Sequence, residues 1–426
     1  MVGRQRPEIP QRVSSVLAAV GVVYIAVALA ANERTVSWLV GFELLPSGET
    51  KLRTGQLVLG CLGILTIALR RREVVARIQL LLLGSAVAAP IVAELTIRLA
   101  IASGISAVRD PGLYADHFSD DDYFKLASAW GQPLVRNDWA HPLLGWAPPR
   151  DATNPLGIIR QAPYPVVRER PILFYGNSYV AGATGPADTI PHHLESMLPG
   201  RTVYNFGVGG YGLDQILLRV ESTHADFTQP TILIGLLTED IDRCVLRFRG
   251  APKPYFDLEG DRLSLKGTPV SADFDDWLRR HPVSAGSYVG ALIRRRLEIR
   301  RLGGIPAEGS RRRAEKERLA ARILERLVER ARRAALPLRF VLFYAPYDLC
   351  YEGWRERFLK RQLARLGVAF LDTKPPLIEA SGKTCDPSRH YLSNGHFTGE
   401  GNAFIARLIA VSPGTLRSAD AVPAPR

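Results

Sequence analysis

Pro171-Ile-Leu-Phe-Tyr-Gly-Asn-Ser-Tyr-Val-Ala-Gly182 is the stretch that decides the fold. Its apolar run, 172–175, leads straight into Gly176-Asn177-Ser178. A serine at the end of a buried strand, among small residues, can be held at the mouth of a sheet with its hydroxyl exposed. Strand-like runs recur at 202–206, 231–237, 338–344 and 368–371. Helix-like stretches lie between and after them, at 186–198, 213–224, 311–335, 353–366 and 400–410. Short continuous apolar strands alternating with helices predict a buried parallel sheet. The order is β-α-β-α-β, an irregular excursion over 241–310, then α-β-α-β-α. It predicts an α/β protein: a three-layer α/β/α sandwich on a five-stranded parallel sheet. Ligands of such sheets bind at the carboxyl ends of the strands. Ser178, Gly210 and Glu239 each fall just past a strand's end, which points to one shared site.

Three further blocks follow in order. They are Val203-Tyr-Asn-Phe-Gly-Val-Gly-Gly-Tyr-Gly212, Ile232-Leu-Ile-Gly-Leu-Leu-Thr-Glu-Asp240 and Asn394-Gly-His-Phe-Thr-Gly-Glu-Gly-Asn402. The succession of blocks resembles the SGNH/GDSL hydrolase superfamily over roughly residues 140–411. The resemblance implies that Ser178 is the nucleophile, that the N–H of Gly210 helps form an oxyanion hole, and that His396 is the catalytic histidine. The third block departs from the family's pattern, with Thr238-Glu239-Asp240 where an asparagine donor is expected. The fourth departs too, because Ser393 and Asn394 precede His396 where an aspartate is expected.

The residues themselves support the same chemistry. A serine hydroxyl is a weak nucleophile until a base takes its proton, and histidine is the usual base near neutral pH. Of the eight histidines, His396 has the best context, just before a helix that would close the sheet. Backbone N–H groups of Ser178 and Gly210 can supply two oxyanion donors. An ionised Glu239 cannot donate. It is either protonated by burial, paired with Arg243 four residues on, or the mark of an impaired site. The pairing with Arg243 is the preferred reading. For the histidine's third partner, the carbonyl of Asn394 and the carboxylate of Asp386 are both open.

Residues 13–31 carry no charge and are long enough to span a bilayer as a helix. Further apolar runs lie at 54–69 and 78–93, the last extending to Ala102 if Glu94 and Arg98 pair four apart. Arginines precede the first run and fill residues 70–77 between the second and third. The positive-inside rule then puts the N-terminus and that loop in the cytoplasm and everything after about Ser103 outside. The expected organisation is a membrane region at 1–103, a connector at 104–140, an α/β domain at 141–415 and a disordered tail at 416–426. The net charge of +13 is concentrated at 289–339, with fifteen Arg and one Lys against six Glu. That stretch is either a solvated helix face or a contact for an anionic polymer or lipid surface. External placement argues against a nucleic-acid partner.

Cys350 and Cys385 are expected near one another; whether they are bridged is open, and a bridge would anchor the histidine loop. The cysteine spacing fits no zinc site, and the chemistry calls for no cofactor. The combined expectation is an outward-facing, membrane-anchored esterase or O-acyltransferase. The resemblance implies an acylated cell-surface glycan or lipid as substrate. The alternative is a non-catalytic domain of the same fold that binds a glycan during export or assembly.

Overall fold

The computed structural model describes residues 9–412 except 33, 36–45, 132–134, 136, 162, 285, 302–310, 383, 385 and 387. The expected tail and Cys385 lie outside the described residues, and so does the expected Cys350–Cys385 proximity. The chain divides into two compact units, residues 1–114 with 285–307, and residues 115–284 with 308–426.

Three long apolar helices dominate the first unit: α1 (Gln11–Ala30), α2 (Pro46–Ala68) and α3 (Glu73–Ala102). Each is long and apolar enough to cross a membrane. The second begins earlier than its apolar run, because residues 46–53 continue the same helix. α1 and α2 cross where Gly21 meets Gly63: a Cβ on either would lie 2.7 Å from the other's carbonyl oxygen. Small residues at a crossing let backbones touch, the means by which helices associate in lipid. Gln79 ties the bundle further, donating to Thr66 Oγ1 at 2.7 Å and accepting from the Tyr24 hydroxyl at 3.0 Å. Glu94 and Arg98 form the expected pair, at 2.7 Å. Glu94 also accepts from the backbone N–H groups of Tyr288 and Val289, at 3.1 and 3.0 Å, and so caps the helix Tyr288–Arg301.

The second unit carries the sheet. Its parallel strands are β1 (Ile172–Gly176), β2 (Val203–Gly207), β3 (Thr231–Leu237), β4 (Leu338–Phe343) and β5 (Phe370–Asp372), in the order β2-β1-β3-β4-β5. All residues of β1, β2 and β3 are buried, as expected for strands covered on both faces. The order reverses at β1/β3, the switch point where such sheets open a crevice for ligands. The helices Leu213–Thr223 and Arg313–Arg333 pack together, as do Ile190–Ser196 and Gly399–Val411. Leu319, Ile323, Leu324, Leu327, Val328 and Ala331 bury one face of the Arg-rich helix. Its other face is laced with ion pairs, among them Arg313–Glu317, Arg322–Glu325 and Arg326–Glu221. The excursion holds the expected hairpin, Tyr255–Glu259 against Arg262–Lys266.

Candidate active site

The serine turn is built on a row of glycines. Gly176 lies in register with Gly207 of β2 on one side and Gly235 of β3 on the other. A Cβ on Gly207 would stand 2.4 Å from the Ala181 nitrogen, and one on Gly235 would stand 2.6 Å from Val180 Cγ2. Only hydrogen at these three positions lets the short helix Ser178–Ala181 settle onto the sheet's carboxyl edge. Asn177 is its N-cap: its Oδ1 accepts from the Tyr179 N–H at 2.8 Å. The Nδ2 of Asn177 reaches both carboxylate oxygens of Asp240, each at 2.7 Å. Asp240 also accepts from the Leu237 N–H at 2.9 Å and from Arg243 Nη1 at 2.5 Å. Burial pushes the Asp240 carboxyl up to about 6, against the opposing pull of Arg243 and Asn177. The last residue of the third block is therefore a clamp on the residue that precedes the serine.

His396 reaches the serine from the other side of the sheet's edge. Its Nε2 lies 2.9 Å from Ser178 Oγ. The Asn394 side-chain oxygen accepts from the His396 backbone N–H at 3.1 Å, which fixes that atom as the carbonyl oxygen. The same oxygen lies 3.2 Å from Nδ1. Nδ1 therefore carries the proton, and Nε2 is left to accept from the Ser178 hydroxyl. Asp386, the other expected partner, instead accepts from the backbone N–H and hydroxyl of Ser388, at 2.9 and 3.0 Å. The loop is pinned by the Tyr179 hydroxyl, which donates to the Gly395 carbonyl at 2.7 Å. Phe397 is buried beside Tyr179 and Phe343, and Thr398 caps the closing helix by accepting from Gly401 N–H at 3.0 Å. Burial holds His396 below the usual histidine range, and the nearby Arg243 and Arg249 cations lower it further.

The glycine turn after β2 completes this edge. Trp146 Nε1 donates to the Gly209 carbonyl at 2.9 Å. Because the peptide is planar and trans, that bond turns the Gly210 N–H to the opposite side. Gly210 has φ +83°, and its own carbonyl accepts from Arg249 Nη1 at 2.7 Å. Among the described residues, the N–H groups of Ser178 and Gly210 donate to no protein acceptor.

These groups line a cavity of about 950 Å³ together with Glu239, Arg243 and Arg249. Glu239 lies beside Arg243, as the preferred reading has it, but is not withdrawn from the cavity. Its carboxylate lies 3.6 Å from Arg243 Nη2, yet its side chain is 17% exposed and faces the same cavity as Ser178. The nearer partner of Arg243 is Asp240. Burial raises the Glu239 carboxyl above its usual range, against the pull of Arg243 and Arg355. Arg249 is a charged cavity residue that nothing in the sequence flags. It stands in the irregular stretch after β3, where no periodicity or motif flags it.

No family model and no curated protein matches this sequence. Solved structures with a similar fold cover little more than half of it. One is a member of the lipolytic protein G-D-S-L family from Veillonella parvula, 14% identical, TM-score 0.32, covering 56% of this chain and 94% of that one. Another is an alpha/beta hydrolase enzyme from the metagenome of Lake Arreo, Spain, 13% identical, TM-score 0.33, covering 57% and 94%. At these values the likeness carries no argument: the fold rests on the strand order and the chemistry on the distances above.

Proposed function

We propose that the second unit is a serine-dependent ester hydrolase or O-acyltransferase. The observation that carries it is the 2.9 Å contact between Ser178 Oγ and His396 Nε2, beside two backbone N–H groups that donate to no acceptor among the described residues. Ser178 Oγ attacks the ester carbonyl carbon as its proton passes to His396 Nε2. The N–H groups of Ser178 and Gly210 receive the charge that develops on the carbonyl oxygen. The C–O bond to the alcohol breaks, and His396 returns the proton to the leaving oxygen. Water, or a sugar hydroxyl in the transferase case, then attacks the acyl-serine and gives its proton to His396, which passes it to Ser178 Oγ as the acyl–Oγ bond breaks and the acid or the new ester leaves. Asn394 holds the imidazole in the required tautomer without a carboxylate.

The three apolar helices tether this chemistry to a bilayer, and the arginine asymmetry around them favours the unit on the outer side. An acylated cell-surface glycan or lipid is the substrate that this placement favours. Short-chain 4-nitrophenyl esters should be hydrolysed by detergent-solubilised full-length protein, with the rate lost in Ser178→Ala. Equal rates in the two proteins would leave a binding domain as the better reading. A reporter fused after Arg426 that is active only in the cytoplasm would overturn the topology.

A further inference from the structure

The cavity's lining carries one carboxylate, Glu239, against two guanidinium groups, Arg243 and Arg249. Arg243 is committed: it holds Asp240, donates to the Tyr211 carbonyl at 2.8 Å and lies beside Glu239. Arg249 is different. The one hydrogen bond its guanidinium makes to protein among the described residues is to the Gly210 carbonyl, and there no carboxylate lies within 4 Å of it. Its guanidinium carbon lies over the Phe124 ring, 5.4 Å from the centroid. Burial, and then the like charge of Arg243, disfavours the Arg249 cation. A guanidinium stays charged at neutral pH nonetheless, and its five donors in a rigid fork match a carboxylate or phosphate. A desolvated cation with spare donors, held at the serine's own cavity, is a site built to receive negative charge.

We infer that the substrate carries an anionic group, a carboxylate or phosphate, near the scissile ester, and that Arg249 binds it. This rests on the hydrolase reading of the same cavity. The Gly210 contact couples the two: an anion that anchors on Arg249 is held one residue from the oxyanion donor. An acidic glycan and an anionic lipid both offer this chemistry.

The test compares 4-acetoxybenzoate with its neutral methyl ester on full-length protein. Wild type is expected to favour the anion about tenfold or more in kcat/KM, chiefly through KM. The preference should fall to about one in Arg249→Gln and persist in Arg249→Lys. Where turnover is slow, the same ratio is read from how strongly each ester slows fluorophosphonate labelling of Ser178. Equal ratios in wild type, or a preference that survives in Arg249→Gln, overturn the inference while labelling of Ser178 keeps the hydrolase reading. Absence of labelling removes both. Acetylated oligogalacturonate and lysophosphatidylglycerol, each against an uncharged counterpart, then separate a glycan source from a lipid one.

Discussion

The two sides of the cavity are built on opposite physical principles. On the Ser178–His396 side, neutral groups are held by hydrogen bonds of 2.7–3.2 Å: Asn177 to Tyr179, Asn394 to His396, Tyr179 to Gly395. On the Glu239–Arg243–Arg249 side, formal charges are crowded into a buried space, and burial disfavours the charged forms of Glu239 and Arg249. Geometry alone dominates the first side, so removing one partner there should cost rate. The second side is electrostatic, and changes there should move substrate preference and pH dependence more than the maximal rate.

The largest effect is expected from the first side. Ser178→Ala and His396→Ala should each lower kcat by about 10³-fold or more, and the double variant should be little worse than either. Losses that add up in steady-state kinetics would break the coupling that the 2.9 Å contact implies. Asp240 joins the two sides, and Asp240→Ala should be the most destabilising change. It strands the Asn177 amide and takes from Arg243 its nearer carboxylate in a buried space, a loss of about 3–5 kcal/mol in denaturant unfolding. Unchanged stability would mean that Asn177 is held by its cap alone. Asn394→Ala should lower kcat about 10- to 100-fold by freeing the imidazole, with little change in KM.

The electrostatic side predicts smaller shifts. His396 must be neutral to accept the serine proton, and its pKa lies below the usual 6.5. Activity should therefore rise with pH through a limb below that value and stay flat above it. Arg249→Gln removes one depressing charge, so the limb should move to higher pH; a limb that stays put would place Arg249 outside the field of the histidine. Glu239→Gln should change kcat less than about tenfold, roughly 1.4 kcal/mol of barrier. A large gain would mean that the carboxylate repels the oxyanion.

The same contrast explains what was legible in the sequence. Ser178, Gly210 and His396 sit in contiguous stretches whose small residues and strand ends can be read one residue at a time. So could the five strands, because each is a short apolar run, and β1, β2 and β3 are buried on both faces. Gly235 left a signal that went unread, a lone glycine inside an apolar strand, which marks close backbone approach. Asp240 was overshadowed by Glu239 beside it, since adjacency says nothing of which carboxylate turns inward. Arg249 left none, because its position depends on how an irregular segment folds back over the glycine turn. The choice between Asn394 and Asp386 needed coordinates for the same reason.

The most direct test of the central claim is mass-spectrometric mapping of a fluorophosphonate adduct on the full-length protein. An activated serine requires a single phosphonylated peptide containing Ser178, formed fast in wild type and at least about 10²-fold more slowly in His396→Ala. No adduct at Ser178, or one that forms at the same rate without His396, would contradict it.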